Sequence, residues 1–174
     1  GDQLTYDLSF RPTGKDGGVQ GEWMTVAKDL TQDYYSFDAT ALPDGVYRFR
    51  LTASDRPSNE PGSELAAERV SDPVVIDHAP PALAKTEVEK AAGGTNGHSG
   101  RTLRVTVRDD ASPLSEAVYS VNAAEWKPVV PADGLIDGRT ETLLIEAGEP
   151  GSLVLLRVTD AAHNVITFNL TQDR

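Results

Sequence analysis

Histidine is the side chain most often used to move protons near neutral pH, and the chain has three, His78, His98 and His163. His78 stands beside Pro80-Pro81, His98 lies in a glycine-rich run and His163 falls in a turn-like segment, so their spacing points to no shared metal or nucleophile. The H-E-x-x-H zinc pattern is absent, and the lack of cysteine removes thiolate zinc sites, disulfides and a cysteine nucleophile together. Gly97-His98-Ser99-Gly100 approaches a nucleophile elbow, yet Arg101 stands where G-x-S-x-G needs its last glycine. Phosphate-loop and dinucleotide glycine signatures are missing as well.

The remaining chemistry belongs to oxygen and to aromatic faces. Asp109 and Asp110 are adjacent carboxylates of the kind used in acid–base pairs, but neighbours at a strand end point apart, and with 27 acidic residues such pairs arise by chance. Asp55 with Asn59, and Asp160 with Asn164, place oxygen ligands four residues apart at strand ends, a pattern open to calcium. Turn formation explains the same residues. Trp23, Tyr34 and Tyr35 offer faces for sugar stacking, although the core also needs aromatics; Trp23 is assigned to the core and one of the two tyrosines to the surface. Asn169-Leu170-Thr171 fits a glycosylation sequon. No catalytic, cofactor-binding or metal-ligating residue is assigned, and calcium is the one cofactor left open.

What must position any such site is a set of short strands. Eleven prolines and fifteen glycines punctuate the chain, which favours strands joined by turns over long helices. Leu4, Tyr6, Leu8 and Phe10 alternate with polar residues, and after Pro43-Asp44-Gly45 the series Tyr47, Phe49, Leu51 and Ala53 alternates with Arg48, Arg50 and Thr52. Further strands are expected over 23–27, 34–38 and 74–76. Asp77-His78-Ala79-Pro80-Pro81 then breaks the pattern, because consecutive prolines cannot continue a central ladder. Beyond it, strands are expected over 83–89, 102–108, 117–121, 140–145, 153–159 and 165–170, with a hairpin tip over 92–100. These patterns predict an all-β chain of two tandem antiparallel β-sandwich domains, 1–77 and 78–174, with separate cores built on Tyr47, Phe49, Leu51 and Ala53 and on Leu103, Val105 and Val107.

The net charge of −11 is spread over both halves, with 14 acidic and 7 basic residues up to Asp77. A nucleic-acid surface needs a basic stripe, and none is present. No run approaches the roughly 18 to 20 apolar residues of a spanning helix, so no membrane span is expected.

The run LPDGVYRFRLTASD, residues 42–55, resembles the turn and sixth strand of a fibronectin type III domain, and LTYDLSFR, residues 4–11, followed by Trp23, resembles its third strand and the next. In that likeness Tyr47 takes the tyrosine-corner part, its hydroxyl bonding back to the upstream backbone. Tyr119-Ser120-Val121-Asn122, Trp126 and the run from Asp160 to Asn164 are similar to immunoglobulin-like modules of secreted bacterial proteins. The resemblance implies an extracellular, periplasmic or envelope location and a first domain without its opening strands, prone to self-association through an open edge. It further implies a non-catalytic accessory, spacer or interaction module, with a protein or glycan as partner. A carbohydrate-binding module and an adhesion module pairing through a strand edge are the alternatives. Because neither Asp–Asn pair supplies the six to eight oxygens calcium takes, a chelator is expected to leave the melting temperature nearly unchanged.

Overall fold

The computed structural model describes residues 3–14, 18, 20–90 and 101–171. The chain is all-β with antiparallel sheets and divides into two compact units, Gly1–Ile76 and Asp77–Arg174.

In the first unit, β1 (Thr5–Thr13), β2 (Met24–Leu30), β3 (Gly45–Ser54), β4 (Ala66–Val70) and β5 (Val74–Ile76) form one sheet in the order β2-β1-β3-β4, with β5 also on β3. β1 and β3 pair in unbroken register, Phe10 opposite Phe49 and Leu8 opposite Leu51, so both apolar series share one face. β4 and β5 line the same edge of β3 in succession, and Pro73 falls in the gap between them. Tyr47, Leu42 and Ile76 form the buried cluster, with Phe10, Phe37 and Phe49 packed against it edge-on or tilted. The Tyr47 hydroxyl donates to the Pro43 carbonyl at 2.8 Å, the bond expected of a corner tyrosine.

Three expectations change here. Residues 34–38 form no strand; the chain enters a 3-10 turn at Ala39–Ala41, capped by Asp38, and this segment lays Phe37, Ala39 and Leu42 on the apolar face. Trp23 is half-buried outside the core, between the guanidinium groups of Arg11 (4.3 Å) and Arg50 (4.6 Å), because cation–π contact with two arginines serves it there. Leu51 lies on the predicted face but is 42% exposed, since the covering segment reaches only one end of the sheet.

The second unit pairs β6 (Ala82–Lys90), β7 (Arg101–Arg108), β10 (Val130–Pro131) and β11 (Thr140–Gly148) in one sheet, β10-β11-β7-β6. β8 (Leu114–Val121), β9 (Lys127–Pro128), β12 (Val154–Asp160) and β13 (Val165–Asn169) make the other, β13-β12-β8-β9. Period-two alternation sends Leu103, Val105, Val107, Leu143 and Ile145 from the first sheet and Val154, Leu156 and Val158 from the second into one core, all at 0% exposure. The expected hairpin tip over 92–100 lies outside the described residues. β4, β9 and β10 had no counterpart in the sequence reading; the last two are two-residue pairings.

Two outcomes follow for denaturant unfolding. Tyr47→Phe removes one hydrogen bond and nothing else, and is expected to lower the stability of the first unit by about 1 kcal/mol. Leu103→Ala leaves a cavity in a closed core and is expected to cost the second unit roughly 2 to 5 kcal/mol.

Candidate metal centre

Three strand ends meet at one end of the second unit. Arg108, the last residue of β7, is in register with Ala82 at the start of β6 and with Thr140 at the start of β11, while Asp160 ends β12 opposite Leu114, the first residue of β8. The residues just beyond β7, at the end of β12 and ahead of β6 are Asp109, Asp160 and Asp77. Each offers a carboxylate oxygen within 4.8 Å of the others, and all three are buried, at 7%, 0% and 6% exposure.

Each aspartate is held by the turn that follows it. Asp109 Oδ1 accepts from the backbone N–H groups of Ala111 and Ser112, both at 2.8 Å, while Oδ2 takes no hydrogen bond from a described residue. Asp77 Oδ1 accepts from Ala79 N–H at 3.1 Å, and Oδ2 accepts a short bond from the Ser112 hydroxyl. Asp160 accepts from the Asn164 backbone N–H at Oδ1 and from its side-chain amide at Oδ2, both at 2.9 Å. The same amide nitrogen lies 3.0 Å from the Asp77 carbonyl oxygen and 3.3 Å from that of Ala79. Asn164 thus ties the entry strap at residues 77–79 to the far sheet.

The donors in these bonds are neutral: backbone amides, a hydroxyl and a carboxamide. The ion pairs formed by Arg50, Arg56, Lys85 and Arg104 go to Glu68, Asp29, Glu87 and Glu89, none of them in the cluster. Two unit charges 4.8 Å apart repel by about 3 kcal/mol at an effective dielectric constant near 20. Neutral donors offset only part of three such pairs. Carboxylate and carbonyl oxygens are the ligands of hard cations, and calcium, with bonds of roughly 2.3 to 2.6 Å, spans oxygens up to about 5 Å apart across its sphere.

Of the residues singled out in the sequence, the structure brings Asp160 and Asn164 together and adds Asp109 to them without Asp110, which is exposed. Asp55 and Asn59 do not form a comparable pair: Asp55 Oδ1 accepts from Leu65 N–H at 2.7 Å, and Asn59 bonds to the Asp55 carbonyl, so both serve the loop. His78 and His163 are exposed, and Tyr34 and Tyr35 are both exposed, at 71% and 46%. Asn169 uses its Oδ1 to accept from Thr171 N–H at 3.0 Å. His98 and Ser99 lie outside the described residues. Asp77 was read only as a boundary residue. The signal was available nonetheless: Asp77, Asp109 and Asp160 each stand directly after an apolar strand pattern and each open a turn.

No protein-family model matches the chain, and no curated protein matches it in sequence. Truncating Asn164 removes the bonds that join the strap, Asp160 and the second sheet. Asn164→Ala is expected to lower the stability of the second unit by about 2 kcal/mol, as measured by urea unfolding, whereas Asp110→Ala at the neighbouring exposed carboxylate is expected to stay within about 0.5 kcal/mol.

Proposed function

We propose that the chain is a non-catalytic structural module of a larger secreted or envelope protein, built of β-sandwich units, in which a calcium ion fastens the entry of the second unit. The observation that carries this reading is the convergence of Asp77, Asp109 and Asp160, buried and within 4.8 Å, on the strap where the chain enters that unit. A cation there answers the repulsion of the carboxylates. It links both sheets to residues 77–79, which is positional work. The carbonyls of Asp77 and Ala79 accept from the same Asn164 amide that donates to Asp160, and they are candidate further oxygens for the ion. The acidic surface and the strand pattern resembling modules of secreted bacterial proteins agree with an environment rich in calcium, where such modules bind with dissociation constants of about 10⁻⁴ to 10⁻³ M. Among the described residues no helix is long and apolar enough to cross a membrane.

Indifference to a chelator was the expectation from the Asp160–Asn164 pair alone; with Asp77 and Asp109 beside it, the expectation reverses. Calcium at a hundredfold excess over its dissociation constant adds about 2.7 kcal/mol to stability. The melting temperature of metal-stripped protein is therefore expected to rise by several degrees with calcium, to fall again with EDTA, and to respond little in Asp109→Asn/Asp160→Asn. Equal melting temperatures of the parent chain in EDTA and in calcium at a hundredfold excess over those constants, about 10 to 100 mM, would sink the calcium assignment.

A further inference from the structure

At the opposite end of the second unit the two sheets part around a cleft of ≈ 470 Å³, within the roughly 300 to 1,000 Å³ typical of small-molecule sites. Its walls carry Arg101 at the start of β7, Glu146 and Gly148 at the end of β11, Tyr119 on β8, and Glu125 and Lys127 from the segment that leads out of β8. The polar groups of these walls are unspent. Nε and Nη2 of Arg101 are shut off from solvent without a hydrogen-bond partner. Among the described residues, the side chains of Tyr119, Glu125, Lys127 and Glu146 form no hydrogen bond or ion pair either, although two cations and two carboxylates share the cleft. Glu125, Lys127 and Glu146 are exposed to water, whereas Arg101 keeps two buried nitrogens unpartnered where such groups are ordinarily satisfied, so the cleft is suited to a guest that brings an acceptor to the arginine and donors to the carboxylates.

From this we infer that the cleft is a binding subsite for a neutral polyhydroxylated ligand, a saccharide of one or two rings. The charges discriminate between ligand classes. An anion drawn by Arg101 and Lys127 meets Glu125 and Glu146, and a cation drawn by the glutamates meets the arginine and the lysine. A sugar hydroxyl both donates and accepts, so adjacent hydroxyls can take bonds from Arg101 and Lys127 and give them to the two carboxylates, after a rotamer change that turns the guanidinium into the cleft. Tyr119, a core residue at 8% exposure, and Val121 make the apolar part of the lining, and the C–H groups of a sugar can pack on such a wall. Burial first, and the charge of Glu146 second, hold the Tyr119 hydroxyl above its ordinary pKa, so it stays a protonated donor. Gly148 keeps this wall low: its φ is +70°, and a Cβ there would stand 3.5 Å from Val121 Cγ1, another residue of the cleft, and 3.3 Å from Ser152 Oγ.

The test is a titration of the full chain, followed by amide chemical shifts, with N-acetylglucosamine, methyl α-mannoside, cellobiose and maltose. Sodium galacturonate and putrescine serve as charged probes. At least one neutral sugar is expected to shift the amides of residues 101–102, 119–125 and 146–148, with dissociation in the millimolar range. Affinity is expected to fall at least tenfold in Arg101→Ala and in Glu146→Gln, each checked for an unchanged fold by its spectrum, and to be unaffected in Tyr34→Ala/Tyr35→Ala. The inference is overturned if none of the four sugars shifts those amides, if only a charged probe does, or if the tyrosine pair rather than Arg101 and Glu146 controls binding. Because the cleft and the aspartate cluster lie at opposite ends of the unit, a chelator-insensitive melting temperature leaves this result standing, and the reverse holds too.

Discussion

Three carboxylates enclosed at one end of two facing sheets push against one another, and the arrangement of that end follows from how the push is answered. Asp77, Asp109 and Asp160 come from three strand ends, and each is clamped by the backbone of the turn it opens. Clamping fixes where the charges point without removing them. Asn164 brings the positive side of an amide dipole to two carbonyls and one carboxylate at once, which partly offsets the negative charge gathered there. The strap, the β7–β8 connection and the turn after β12 therefore depend on one electrostatic compromise.

The two units solve burial differently. In the second, residues from both sheets close on one another, and nine apolar ones reach 0% exposure across β7, β11 and β12. In the first, a single sheet carries the apolar face and, among the described residues, only the segment around Phe37 and Leu42 lies on it, so Tyr47 is buried while Leu51, four residues on, is not. A sheet with one apolar face gains stability when that face is covered along its length. The corner bond from Tyr47 to Pro43 and the Arg11–Trp23–Arg50 stack on the opposite face supply contacts that such a shallow cluster lacks.

Much of the strand pattern was legible because period-two alternation is a local property. Leu103, Val105 and Val107, or Tyr47 and Phe49, announce a buried face within a few residues. The strand expected over 34–38 failed because two adjacent tyrosines resemble β-rich sequence, while their environment is decided by residues far away in the chain. Trp23 failed for a related reason, since its contacts with Arg11 and Arg50 depend on strand pairing. The aspartate cluster was the least legible feature: Asp77 and Asp109 stand 32 positions apart, and Asp160 another 51. Each alone reads as an ordinary turn residue, and only the closing of the sheets makes them neighbours.

The entry strap also has a mechanical meaning. Tension applied to the chain ahead of Asp77 would reach the second unit through residues 77–81, where Pro81 is fully buried and Asn164 grips two carbonyl oxygens. The load would then pass to β12 by way of the Asp160–Asn164 turn, rather than falling on β6 alone. Bonds pulled along their length and sharing a load yield together, whereas a strand peeled from an edge gives way one bond at a time. The strap would thus share a pull between β6 and β12 at the end where the aspartates gather.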